Sequence, residues 1–249
     1  MGTIVGIYSI KGGVGKTAAA VNLSALSALE GYKTLLCDLD PQGSATFFFR
    51  KARGRKTSVK RMIKGKSSLE ELAEETGFEH LHLVPSDLAF RKMDIVLNSM
   101  KKSKSRLAGL LEPARKSYGW IFLDCPPSIS LVSENVFHAV DILLIPLIPT
   151  PLSLRTYGEL VDFFERQGLK TSLIVPFFSM VEGRKKLHRE SMERLRRKVD
   201  RVCSSVIPYL SDVERMSVRM KPLVAYSPSS PAAGAFLGLW NEIKGLEGK

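Results

Sequence analysis

The sequence predicts an α/β fold: a mostly parallel, twisted sheet with helices on both faces. Three observations carry this reading. Short apolar, β-branched runs alternate with longer helix-like stretches along nearly the whole chain. The first run ends in a glycine-rich loop that opens a helix, the start of a strand–crossover–strand unit. Hydrophobic residues make up 44% of 249 positions, which supplies a substantial core. With no internal repeat and no polar linker to divide the chain, one domain over residues 1–249 is expected.

The elements follow in order. Residues 4–8 read as a buried strand, residues 18–30 as a helix closed by Gly31, and residues 34–38 as the next strand. That unit takes about 35 residues, the size of one βαβ unit. Further strands are expected at 81–84, 120–123, 142–147, 172–177 and 206–209. Helices are expected at 106–116, 132–139, 154–167, 189–202 and 232–243. These patterns leave the order of the strands in the sheet open.

Composition narrows the function classes. The formal net charge is +12, which favours polyanionic partners, nucleic acid first and an anionic membrane surface second. Cys37, Cys125 and Cys203 are far apart and form no Cys-x-x-Cys pair, which argues against a disulfide framework or zinc site and for a reducing cytoplasm. No basic-then-apolar leader opens the chain, and Gly6 stands where a myristoylation signal wants Ser or Thr. The most apolar stretch, 142–152, is broken by Pro146, Pro149 and Pro151 and is too short to span a bilayer.

The chemistry concentrates at the end of the first strand. In Lys11-Gly12-Gly13-Val14-Gly15-Lys16-Thr17 the glycines let backbone N–H groups approach phosphate oxygens, and the following helix adds its dipole. Lys16 is placed to reach the β- and γ-phosphates, and Thr17 to ligate magnesium. The generic pattern has a glycine where this chain has Ile10, and Lys11 is an additional cation, so the loop is a variant of the phosphate-binding loop of P-loop NTPases. Trp120-Ile121-Phe122-Leu123-Asp124 is an apolar strand ending in one carboxylate suited to Mg²⁺. Asp38 and Asp40 end the second strand, and parallel strands deliver their C-terminal ends to one rim. Taken alone, those two acids read equally well as turn or cap residues.

Lys11 to Thr17, Asp38-Leu39-Asp40-Pro41-Gln42-Gly43-Ser44-Ala45-Thr46 and Leu123-Asp124-Cys125-Pro126-Pro127-Ser128 together resemble the ParA/MinD family of deviant-Walker P-loop ATPases, in its ParA-like branch. The resemblance extends to residues 146–153 and 226–233 and so covers nearly the whole chain. It implies ATP and Mg²⁺ as ligands, with residues Lys11, Gly12, Gly13, Val14, Gly15, Lys16, Thr17 and Ala18 around the nucleotide. ATP would be held between two copies of the chain, Lys11 reaching phosphates bound by the second copy. Lys16 would act with Lys11 on the phosphates, and Asp40 would position or activate the attacking water. Thr17, Asp124 and Asp38 would serve the metal. Ala18 departs from a family loop that often carries a second threonine, so one hydroxyl contact to the α-phosphate is missing.

The same resemblance implies a switch that dimerises on ATP, binds DNA without sequence preference and partitions or positions DNA or a large cargo. A ParB-like or cargo-adaptor protein would stimulate hydrolysis, and the chain would be cytoplasmic and nucleoid-associated. Two segments supply the charge for DNA. Residues 50–66 carry Arg50, Lys51, Arg53, Arg55, Lys56, Lys60, Arg61, Lys64 and Lys66 with no acid. Residues 184–201 carry nine cations, beginning at Arg184, against Glu190, Glu193 and Asp200. A continuous helix there would align Arg194, Arg197 and Lys198, with Arg201 extending the row. A solvated helix face is the plainer reading of either segment. Since strand one opens at Thr3, no helix-turn-helix is expected ahead of it, which argues against operator binding.

The alternative is a MinD-like membrane-associated positioning ATPase, which wants a basic amphipathic C-terminal helix. Residues 236–244 are amphipathic but weakly charged and include Glu242, so a packed terminal helix is expected. Iron–sulfur relatives need paired cysteines that this chain lacks.

Overall fold

The computed structural model describes residues 1–49, 59–86, 88–101 and 103–246. Arg50, Lys51, Arg53, Arg55 and Lys56 of the first basic segment lie outside the described residues. Among the described residues eight strands form one sheet: β1 (Thr3–Ile7), β2 (Thr34–Asp38), β3 (Glu74–Glu75), β4 (Leu81–Val84), β5 (Trp120–Asp124), β6 (Ile142–Leu147), β7 (Ile174–Val181) and β8 (Val206–Pro208). Their order is β3-β4-β2-β5-β1-β6-β7-β8. All neighbours are parallel except β3, which runs antiparallel to β4.

The central strands are buried end to end, which is why they read as unbroken apolar runs and not as an alternation. Alternation survives in which layer each side chain enters. Ile4, Tyr8, Ile121 and Leu123 join the core beneath helices Arg106–Ala114, Leu131–Phe137 and Pro151–Arg166. Val5, Ile7, Trp120 and Phe122 join the opposite core, beneath helices Lys16–Leu29 and Pro231–Lys244. There the Trp120 and Trp240 rings meet edge-on with centroids 4.7 Å apart, a contact worth roughly 0.5–1.5 kcal/mol beyond burial. Prolines start both long late helices. Thr150 caps the helix that Pro151 opens by accepting from Ser153 N–H, and Ser230 does the same for Pro231 through Ala233 N–H.

The sheet order puts β1 between β5 and β6, so the chain leaves β1 towards one edge for β2 and reaches the other side with β6. That reversal opens a crevice at the C-terminal end of β1, the standard ligand position in open α/β sheets. Strand register brings the acids to the same level, with Ile7 opposite Asp124 and Asp38 opposite Asp124.

Two expected elements are displaced. The strand expected at 172–177 begins after a 3₁₀ turn, Thr171–Leu173, and runs on to Val181. The helix expected at 189–202 is instead Lys186–Arg196. It stops because the chain must turn back for β8: Cys203 N–H donates to Pro176 O at 2.9 Å, and Glu242 accepts from Ser204 and Ser205 N–H at 2.6 and 2.7 Å. Val199 and Val202, continuous with the helix in the sequence pattern, pack onto the core from this turn.

Candidate nucleotide-binding site

Gly13 and Gly15 sit at φ +70° and +92°, left-handed backbone that a side chain would strain. A Cβ on Gly15 would also lie 2.7 Å from Ser179 Oγ on β7, whereas nothing approaches within 4 Å of one on Gly12 or Gly13. The loop therefore packs close against β7 at Gly15 and is open above Gly12 and Gly13. Gly15 is the N-cap of helix Lys16–Leu29 and offers no side-chain cap, so the helix turns its first N–H groups and its positive dipole end to the opening. Ser9 Oγ accepts from Lys11 N–H at 3.2 Å and fixes the loop's entry.

Lys16 is buried and its Nζ donates to Lys11 O at 3.3 Å. Burial lowers its pKa, while Asp124, Asp40 and Cys125 pull it back up. A phosphate would supply the counter-charge that this half-desolvated ammonium lacks. The Lys11 ammonium, half-buried on the rim, has no hydrogen-bond or ion-pair partner among the described residues.

Thr17 Oγ1 donates to Asp124 Oδ2 at 2.8 Å, while Asp124 Oδ1 is buried with no hydrogen-bond partner among the described residues. Burial and the neighbouring Asp38 push the Asp124 carboxyl well above the usual range, against the pull of Thr17 and Lys16. An orphaned carboxylate oxygen beside a threonine hydroxyl is a hard-oxygen donor set that fits Mg²⁺. Asp38 differs. Its Oδ1 accepts from Asp40 N–H at 3.2 Å and its Oδ2 from both Thr46 N–H and Thr46 Oγ1 at 2.7 Å. Burial raises its pKa to about 6 despite those donors. Asp38 thus anchors the loop that follows β2, with both oxygens engaged. Asp40 is half-buried beyond it, its Oδ1 accepting from Gln42 N–H at 2.9 Å. Ala18, the third residue of the helix, brings no side-chain hydroxyl.

The structure thus gathers Lys11, Lys16, Thr17, Asp38, Asp40 and Asp124 at one rim of the sheet. Sequence reasoning missed Ser9, two residues ahead of Lys11, and also Ser179 and Ser86, which reach the site from β7 and from the end of β4, both distant in the chain. Thr46 stood inside a motif already singled out, yet its hydroxyl gives no local signal of its target.

The basic residues expected to contact DNA are not all brought together. Arg184 follows the C-terminal end of β7, on the nucleotide rim. Helix Lys186–Arg196 then runs back along the sheet for eleven residues, about 16 Å at helical rise, so Arg194, Arg197, Lys198 and Arg201 lie towards the opposite rim. Because the helix ends at Arg196, the continuous row is broken: Arg197 is its C-cap, and Arg201 sits beyond a turn with Nη1 donating to Ser172 O at 2.6 Å. Arg194, Lys198 and Arg201 still line one open cleft with Arg155. A second cation cluster was missed because acids interleave it. Arg215, Arg219 and Lys221 line a cleft with Asp212 and Tyr226, following the C-terminal end of β8 on the nucleotide rim. Among the described residues no helix is long and apolar enough to cross a membrane.

Known proteins resemble this chain in sequence and in fold. A family model described as an AAA domain matches residues 2–173. The chain is 30% identical to the sporulation initiation inhibitor protein Soj of Bacillus subtilis, over 98% of both chains. It is 29% identical to the chromosome-partitioning ATPase Soj of Treponema pallidum, over all of both chains. An ATP complex of a McdA variant from Cyanothece superposes with a TM-score of 0.83 at 22% identity, over 99% of this chain and 96% of that one. The phosphate loop, the acid-tipped strands and these likenesses agree: the chain is an ATPase and belongs to the ParA/MinD family of P-loop ATPases.

Proposed function

We propose that residues 1–249 act as one ATPase domain and as a switch: ATP drives dimerisation, the dimer binds DNA without sequence preference, and hydrolysis resets it. Its task would be to partition or position DNA or another large cargo in the cytoplasm, on the nucleoid, with an adaptor protein stimulating turnover. The names of the Soj relatives support partitioning, and the +12 charge supports the DNA surface.

The observation that carries the reading is the open glycine loop with Lys16 beneath it and Thr17 bonded to Asp124 beside it. In this reading the loop N–H groups and Lys16 bind the phosphates, Lys16 exchanging its bond to Lys11 O for phosphate oxygens. Thr17 and Asp124 would hold Mg²⁺, which when bound neutralises charge on the phosphates. Asp38 would support that side from its bonds to Thr46 and Asp40. Asp40 would orient the attacking water, and Lys11 would reach phosphates on a second copy. The terminal helix Pro231–Lys244 buries Phe236, Leu239, Trp240 and Ile243, which supports a packed element over a membrane anchor.

The test compares wild type and Lys11→Ala by sedimentation with ADP and with a slowly hydrolysed ATP analogue, then with duplex DNA and with anionic vesicles. The expected result is an ATP-specific dimer that binds DNA and is weakened without the Lys11 charge. Vesicle binding without DNA binding would favour the membrane-positioning reading instead.

A further inference from the structure

Asp40 belongs to a loop held along its length. Leu39 N–H donates to Asp124 O at 2.9 Å, Asp40 N–H to Asp38 Oδ1 at 3.2 Å, and Gly43 N–H to Asp40 O at 2.9 Å. The other oxygen of Asp38 is held by Thr46, through its N–H and its hydroxyl, both at 2.7 Å. Thr46 Oγ1 also accepts from Ser86 N–H at 2.9 Å, just past the end of β4. Asp38, Thr46 and Ser86 are all buried, so water does not substitute for any of these bonds without rearrangement. Gly43, at φ +65°, turns the loop onto the same two neighbours: a Cβ there would meet Ser86 O at 3.5 Å and Thr46 Cβ at 3.9 Å.

The Thr46 hydroxyl therefore closes a chain of bonds, Ser86 N–H to Thr46 Oγ1 to Asp38 Oδ2, with Asp38 Oδ1 gripping Asp40. Without the hydroxyl Asp38 Oδ2 keeps only the Thr46 N–H and the buried Ser86 N–H loses its acceptor, so the tie that holds Asp38, and with it the Asp40 backbone, against the end of β4 is cut. We infer that Thr46 is a positioning residue for ATP hydrolysis, acting through Asp38 to set Asp40. The inference rests on the reading of Asp40 as the carboxylate that orients water. Thr46 touches no phosphate-binding group, so its loss would leave the phosphate loop intact. A misplacement near 1 Å at the reacting centre costs on the order of 100-fold in rate.

The experiment measures single-turnover hydrolysis of Mg-ATP by the full chain, with nucleotide affinity from a fluorescent-ATP titration. Thr46→Val keeps the shape and removes the hydroxyl; it should slow hydrolysis roughly 10- to 100-fold with affinity changed less than about threefold. Thr46→Ser should restore the rate to within about threefold of wild type. In an Asp40→Ala background, Thr46→Val should cost little more, since both act on one step. Thr46→Ala gives the same comparison if the valine variant fails a circular-dichroism check of folding. A folded hydroxyl-less variant with wild-type hydrolysis overturns the inference, as does a full additional loss on top of Asp40→Ala. Wild-type hydrolysis by Asp40→Ala itself would instead show that the reading of Asp40 is at fault, and the inference would fall with it.

Discussion

The two ends of helix Lys186–Arg196 differ in kind from the strand ends gathered around the phosphate loop. Around β1, β5 and β2 the polar groups are buried, each acid has a named donor or an orphaned oxygen, and strand register sets Asp38 and Asp124 side by side. Along the basic helix the charges are exposed and paired, where paired, by weak surface contacts such as Arg197 to Glu193 at 3.6 Å and Lys186 to Glu190 at 3.6 Å. Surface pairs of this sort are worth about 0–1 kcal/mol and yield readily to a phosphate. The first region is specific because its geometry is fixed before any ligand arrives. The second needs no fixed geometry, since counterion release rewards any cation that meets a phosphate.

The comparison breaks most readily at the buried end. Asp40→Ala should slow ATP hydrolysis by roughly 10²- to 10⁴-fold, the usual worth of a positioned acid–base group, while ATP affinity stays near wild type. Phosphate release under single-turnover conditions measures the first and a fluorescent-ATP titration the second. Lys16→Ala should act on binding instead, weakening ATP by about 10- to 100-fold for the loss of a charge-assisted bond. Calorimetry that finds unchanged affinity in a folded Lys16→Ala chain would remove Lys16 from the phosphate site.

What could be read ahead of the structure divides along the same line. The phosphate loop and the two acid-tipped strands were legible because glycine, lysine and carboxylate must stand at fixed offsets from a strand end. The close approach of Ser179 to Gly15, and the hold of Thr46 on Asp38 with Ser86 behind it, were not, since those contacts are set by which strands become neighbours. Strand order is invisible to local periodicity. The basic row was overdrawn for another reason: Arg189 to Val202 has a helical pattern, but the chain must leave the helix at Arg196 to place Cys203 beside β7. The cluster of Arg215, Arg219 and Lys221 escaped notice because Asp212 and Glu214 dilute its charge in sequence; in space Asp212 lines the same cleft, 3.9 Å from Arg215, while Glu214 accepts from the Tyr209 hydroxyl.

At the exposed end the expected effects are smaller and graded. Each cation that meets a DNA phosphate should contribute close to one unit of the logarithmic salt slope. Arg194→Glu, Arg197→Glu and Arg201→Glu together should therefore lower the slope and weaken DNA binding while leaving ATP affinity unchanged. Arg184→Glu, on the nucleotide rim, compared with that triple change would show whether either end of the helix contributes to the proposed DNA surface.

The smallest effect concerns the anchor of the basic helix. His188 is buried and its Nδ1 accepts from Glu182 N–H at 3.1 Å, a bond that needs the neutral ring. Burial and Lys185 lower its pKa below the ordinary 6.5, against a smaller pull from Glu182. Below pH 6.5 the unfolded chain takes up this proton before the folded chain does, so stability should fall as pH drops through that value and hold above it. Thermal unfolding of wild type and His188→Gln at pH 7.5 and 5.5 measures it; equal pH sensitivity in the two chains would assign the effect elsewhere.

The central claim is that nucleotide state, set in the rigid region, controls the electrostatic one. DNA affinity measured across a fourfold range of salt, with ADP and with a slowly hydrolysed ATP analogue, tests it most directly. The ATP-analogue form should bind arbitrary duplex with a steep salt dependence, losing on the order of 10³-fold if about six phosphates are engaged, because a dimer presents the cations twice. The ADP form should bind weakly, with a shallower slope. Equal affinity and equal slope with both nucleotides would contradict the account.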